Sequence, residues 1–314
     1  MSRKLLSLLL LILVTSALAV TVSAQDEEEQ TVFHLRGTVV QSIGEYPDNF
    51  SYDGSNVIAL DRPGFFEVHV DTETNTGIMF ARFYVNEYQM DADTLLEDAQ
   101  VTVIFPLFGA PTGVMPEYWE GGIATDVDLH GNSGHEAPVL PTVFNALASW
   151  GPALVFVDGE QVMGGEEIMG VPNVTGAFAG HVMYTNEVRD ADTGVVYNEA
   201  MDAPYSPMAP ADGIATDDDV SLLHLIVRSE VRDDEAFPPF SMFMHFNFLD
   251  VQELGMDEIN PMLMEMEPMT FEGMNAMMES MEMDEVRAAL GEQMGQVMGL
   301  INMTEEALFG EESD

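Results

Sequence analysis

Thirteen of the 24 methionines in this chain fall between Met256 and Met303, in an acidic stretch that holds no cysteine, histidine or lysine. A thioether is at once a soft metal ligand and an adaptable apolar surface, so these residues can bind Cu(I) or fill a packing face. It needs no deprotonation to bind Cu(I), and it therefore keeps that capacity where thiolates would be protonated or oxidised. The densest groups are Met262, Met264, Met266 and Met269, then Met277, Met278, Met281 and Met283.

A second set of ligand-type residues lies in Asp126-Val-Asp128-Leu-His130-Gly-Asn-Ser-Gly-His135-Glu136. If a strand runs into this glycine loop, alternation puts Asp126, Asp128 and His130 on one face. The glycines then let His135 fold back toward them. Imidazole with carboxylate suits zinc, copper or iron. His181, on another predicted strand with Met183 on the same face, supplies a further nitrogen. The expected metal ligands are thus Asp128, His130, His135 and His181, with Met264, Met266, Met278 and Met281 as the soft set.

The methionine clusters resemble the methionine-rich motifs of exported copper-handling proteins, by composition and over residues 262–283 only. That resemblance implies copper as the ion. Calcium is the weaker alternative: Asp71-Thr-Glu73-Thr-Asn75-Thr-Gly77 and Asp190-Ala-Asp192-Thr-Gly194 alternate oxygen ligands but complete no EF-hand, and hairpin turns explain both. His224 and His245 share strand faces with Arg228 and Asn247 and read as solvated. His34 and His69 have no helpful neighbours in the sequence. Enzymatic motifs are missing: the sequence contains no nucleophile elbow, no His-Glu-x-x-His and no phosphate loop, and with no cysteine there is no thiol nucleophile.

The first 24 residues read as a secretory signal, with Arg3 and Lys4 ahead of an apolar run and Val22-Ser23-Ala24 as the cleavage pattern. Cleavage predicts a secreted, periplasmic or extracellular protein without a transmembrane anchor. Arg3 and Lys4 are two of the nine basic residues, so the mature chain would keep seven arginines against 55 acids, a formal charge of −48. Such a chain repels itself when compact, and salt or bound divalent cations relieve the strain, the Debye length falling to about 3 Å at 1 M. A salty habitat and a cation-loading function both fit. Nucleic acid, which needs a basic footprint, is excluded as a partner.

These ligands need a scaffold, and without disulfides the scaffold must be a hydrophobic core. After a charged tail at 25–30, residues 31–252 read as a β-rich domain: an antiparallel sandwich or barrel-like array. Candidate strands are 32–40, 56–60, 65–70, 78–85, 101–105, 153–157, 180–185, 194–197, 221–229 and 241–248. Breakers such as Asp53-Gly54, Asn75-Thr-Gly77 and Asp158-Gly159 separate them. Residues 140–150 look helical, and 200–216 read as a long proline- and alanine-rich loop. The motifs around His69 and His181 echo each other faintly, which allows a duplicated sandwich.

Residues 253–314 form an acidic Met-rich segment. Asn260-Pro261 opens a helix, and methionines at helical spacing predict two or three amphipathic helices up to residue 303, the last weakened by Gly291, Gly295 and Gly299. The leading expectation is a binding protein that handles copper through the His/Asp loop and these methionines. The competing expectation is an envelope or extracellular interaction protein whose Met-rich helices pack, self-associate into a homo-oligomer or grip a protein partner.

Overall fold

The computed structural model of the chain describes residues 31–49, 57–108, 122–129, 143–165, 167–168, 171–172, 175–185, 197–198, 203–204, 222–229 and 240–310. The expected signal, the tail at 25–30 and the His130/His135 loop lie outside these residues, as does the 200–216 loop apart from 203–204.

The chain is mainly β. Its strands are β1 (Val32–Gly37), β2 (Val39–Ile43), β3 (Val57–Ala59), β4 (Phe65–Asp71), β5 (Thr76–Gln89) and β6 (Leu95–Phe105). There follow β7 (Ile123–Leu129), β8 (Val143–Val157), β9 (Glu160–Val162), β10 (Glu167–Ile168), β11 (Val171–Pro172) and β12 (Phe178–Thr185). The last are β13 (Tyr197–Asn198), β14 (Ala203–Pro204), β15 (Leu222–Arg228), β16 (Phe243–Leu249) and β17 (Gln252–Glu253). Antiparallel pairing links thirteen of them in the order β17-β1-β4-β5-β6-β8-β12-β15-β16-β2-β3, with β7 and β9 also on β8. Among the described residues no pairing joins the two end strands.

This long sheet folds into two halves at two bends. Residues 154–157 of β8 pair with β6, whereas 147–153 pair with β12, so one strand serves both halves. The second bend separates β1 from β2 by Thr38 alone: β1 pairs with β4, and β2 with β16. Glycine is required at both places. A Cβ on Gly37 would lie 2.6 Å from the Phe66 ring, and one on Gly151 would lie 2.5 Å from the Leu107 carbonyl oxygen.

Alternation then decides the core. Phe66, Val68, Met79, Phe83, Val101 and Val103 point inward from one half and meet Leu223, Leu225, Phe246 and Phe248 of the other. Phe83 and Phe246 rings sit 4.3 Å apart, and Phe66 and Phe248 5.0 Å, so a single interior serves both halves. Offset aromatic pairs of this kind add about 0.5–1.5 kcal/mol each beyond the area they bury.

The helical reading of 140–150 was incorrect: residues 143–157 form one strand, β8. Inward-facing Leu147 and Ala153 follow the two-residue period; β12 pairs beside both, and β7 beside Leu147 on the other edge. Ladder pairing outweighs the local helical preference of alanine and leucine. β7 bears out the strand ahead of the glycine loop. Asp126 takes a left-handed φ of 51°, while the register on β8 runs unshifted from Thr125↔Leu147 to Val127↔Asn145.

Three helices follow: α1 (Pro261–Glu265), α2 (Phe271–Ser280) and α3 (Met283–Phe309). Caps fix their starts. The Asn260 side chain accepts from the Met262 N–H at 3.0 Å, and Thr270 Oγ1 from Gly273 at 3.0 Å. Helix α3 continues unbroken through Gly291, Gly295 and Gly299, because docking supplies what propensity lacks. Its Val297, Leu300 and Ile301 bury against Phe65, Phe80 and Ile104 on the outer face of the first half-sheet. Met262, Met266, Met294 and Met298 pack on the same cluster. A polar clamp adds to this: Arg82 reaches Asn302 Oδ1 at 2.7 Å, Glu305 Oε2 at 2.6 Å and Thr102 Oγ1 at 3.0 Å. Among the described residues no helix is long and apolar enough to cross a membrane.

Candidate functional site

The register of β1 on β4 sets His34 opposite His69 and Arg36 opposite Glu67, all on the face turned away from the core. His-x-Arg on one strand thereby meets Glu-x-His on the next. Glu67 is 1% exposed and His69 6%, so the group is desolvated. Arg36 Nε donates to Glu67 Oε1 at 2.8 Å, and His69 Nε2 lies 2.9 Å from Glu67 Oε2. Burial by itself would raise the Glu67 carboxyl. The hydrogen bond and charge of His69, with the Arg36 guanidinium, outweigh burial and hold it below the ordinary carboxylate range.

An ionised carboxylate only accepts, so His69 Nε2 carries a hydrogen toward Glu67, and Nδ1 of the ring is turned toward His34. The two Nδ1 atoms are 2.9 Å apart, within hydrogen-bond distance. Burial, and then the neighbouring His69, lower the His34 pKa, so this imidazole is neutral near pH 7.

Above the pair lies a cavity of about 340 Å³. Its sheet side includes His34, His69 and Ile78, and its helical side Met264, Met266 and Met269. The buried Ile259 and Leu263 anchor α1 to the outer-face cluster and so hold these methionines over the histidines. Asp71 and Glu267 also belong to the lining and bring carboxylate charge to it. Asp71 is partly engaged, since its Oδ1 accepts from the Glu73 and Thr74 N–H groups at 2.9 and 3.2 Å. That turn is a hairpin cap between β4 and β5, as the sequence suggested in place of a calcium loop.

The expected ligands distribute unevenly. Met264 and Met266 reach the cavity. Met281 is 44% exposed at the end of α2, and Met278 belongs to the same helix. Asp128 lies on β7, while His130 and His135 fall outside the described residues. His181 is 4% exposed on the other half-sheet, stacked on Trp150 at 4.3 Å with an interplanar angle of 16°. Burial pushes its pKa down to about 3, against the opposing hydrogen bond to the Ser149 carbonyl. His224 and His245, read as solvated, are 1% and 0% exposed.

His34, His69 and Glu67 are what sequence reasoning missed. The usable signal was the complementary pair His34-x-Arg36 and Glu67-x-His69, which fits only an antiparallel cross-strand pairing. Among the described residues no three His, Asp or Glu side chains gather closely enough to hold a metal ion by themselves. A metal in this cavity must take thioether or exogenous ligands beside the two imidazoles. Comparison with protein-family models, curated proteins and solved structures found no match to this chain.

Proposed function

We propose that this is an acidic metal-handling binding protein, and that its soft-metal site, with copper the favoured ion, is the cavity of His34 and His69 beneath the α1 methionines. One observation carries the reading: two imidazoles face each other through Nδ1 in a cavity whose opposite wall holds three thioethers. Imidazole and thioether together select Cu(I) over the hard cations that a strongly acidic surface would otherwise collect. Metal–nitrogen bonds of about 2.0 Å in tetrahedral geometry separate two ligand nitrogens by about 3.3 Å, so the pair need open only slightly. Glu67 plays the outer-shell carboxylate that orients a ligating histidine. Export places such a protein where thiolates are unreliable and thioethers persist. His130, His135 and His181 remain part of the proposal as a sheet-borne group serving the same handling role.

Competitive titration of the purified protein with Cu(I) tests this. Binding tighter than roughly micromolar, lost in His34→Ala/His69→Ala, supports it. If the wild type binds Cu(I) no better than that variant, the reading fails.

A second reading, an interaction protein without metal chemistry, draws support from the packing of Met262, Met266, Met294 and Met298 on the sheet. It predicts that deletion of 256–314 changes oligomer size or solubility and leaves any metal content unchanged.

A further inference from the structure

The other half-sheet carries a second polar concentration that the His34/His69 cavity does not use. Leu223, Leu225 and Val227 of β15 and Met244, Phe246 and Phe248 of β16 point into the core. The intervening His224, His245 and Asn247 must therefore occupy the opposite face. The register aligns Met183, His224, Asn247 and Gln41 across the four adjacent strands β12, β15, β16 and β2. All of these residues are buried, and His224 Nδ1 lies 3.1 Å from His245 Nε2.

Buried polar groups in folded proteins are nearly always hydrogen-bonded, and each one left over costs about 1–3 kcal/mol. On this face Gln41 Oε1 and both polar atoms of the Asn247 amide have no hydrogen-bond partner, at 7% and 0% exposure. His181, on the same face of β12, has an unpartnered Nε2 as well. The Ser149 carbonyl can only accept, so His181 Nδ1 carries the hydrogen and Nε2 is a bare lone pair. Gln41 Oε1, Asn247 Oδ1 and His181 Nε2 are thus three unsatisfied acceptors on the face that carries this pair of imidazoles. A cation held by the two imidazoles would take up one of the amide oxygens among them.

We infer that this face holds a second metal site, for a borderline divalent ion of the zinc class, bound by the imidazoles of His224 and His245 and an amide oxygen from Asn247 or Gln41. The third ligand is an amide because no third His, Asp or Glu gathers there among the described residues. Oxygen in the donor set distinguishes it from the thioether-lined cavity. At near-zero exposure the ion has to enter as the chain folds or through a slow opening, so loading is coupled to folding.

The test uses full-length protein, stripped with chelator, unfolded, and refolded with Zn²⁺ in millimolar Ca²⁺, which occupies the surface carboxylates. Refolded wild type should retain about one zinc per chain through desalting, and the folded apo-protein should load far more slowly. His245→Gln and Asn247→Leu should lose it, whereas His34→Ala should keep it. Failure of the copper proposal would leave this result untouched. Zinc that is absent from refolded wild type, or retained by both variants, overturns the inference, as does zinc lost in His34→Ala alone. Should the variants misfold, Co²⁺ refolded into wild type decides. Tetrahedral nitrogen- and oxygen-ligated bands support the site, and the spectrum of the aqueous ion refutes it.

Discussion

Glu67 and His69 stand two residues apart on one face of β4, and the buried carboxylate of the first takes the Nε2 hydrogen of the second at 2.9 Å. This one bond leaves Nδ1 as the nitrogen turned toward His34. Glu67→Leu should release the ring and lower Cu(I) affinity by roughly 10- to 100-fold, while Glu67→Gln, whose carbonyl still accepts, should lose much less. Urea midpoints of both variants separate this from instability. Equal affinity in the two would show that orientation by Glu67 is irrelevant.

Thioether contributions are accessible without large structural cost. Met→Leu conserves volume and usually costs less than about 1.5 kcal/mol. Met264→Leu/Met266→Leu should therefore leave the thermal midpoint nearly unchanged and weaken Cu(I) at least tenfold by competitive titration. Unaltered Cu(I) affinity would reduce these methionines to packing.

Acid should destabilise the fold in two stages. His34 and His181 both have folded pKa values below their ordinary 6.5, so the unfolded chain binds more protons and stability falls as pH drops through 6.5. For His181, lowered to about 3, the stability lost by pH 3 is on the order of 4 kcal/mol. The depressed Glu67 carboxyl adds a further loss once pH falls below its ordinary 4.5. The gap between urea midpoints at pH 7 and pH 4.5 should narrow in His181→Phe, which keeps a ring on Trp150 but does not titrate, and the remainder should be that of His34. A difference as large as in wild type would clear His181 of the effect.

Arg82 is 6% exposed in its ion pair with Glu305, which is itself 25% exposed. Arg82→Leu should cost about 2 kcal/mol, less than a fully buried pair because water still reaches Glu305. Hydrogen exchange should quicken first in the C-terminal half of α3. Protection lost evenly across the sheet would contradict a local clamp.

Gly291 and Gly295 cost α3 helix propensity and touch nothing that an added Cβ would strike. Replacing each with alanine should stabilise the protein by up to about 1 kcal/mol, read as a rise in thermal midpoint. A fall would mean that this face of α3 is not open.

Local chemistry in the sequence was sufficient for several elements. Asp158-Gly159 closes the β8–β9 hairpin with φ values of 50° and 83°, conformations that this dipeptide tolerates and most residues do not. Asn260-Pro261 opens α1, and the two-residue alternation of strands such as β4 and β16 identifies their buried faces. Composition alone set the acidity, the lack of disulfides and the methionine-rich helices, because each depends on residue type and near spacing.

Only the tertiary structure decided which residues meet. His34 and His69 are 35 positions apart and become neighbours through the β1–β4 register, which no local signal encodes. His224 and His245 have the pattern of a solvated face, yet they are buried, since what covers a sheet is a property of the whole fold. The same holds for α3: its glycines argue against a long helix, and the apolar outer face of the first half-sheet overrules them. Periodicity specifies what each segment can bury, and packing determines what it is buried against.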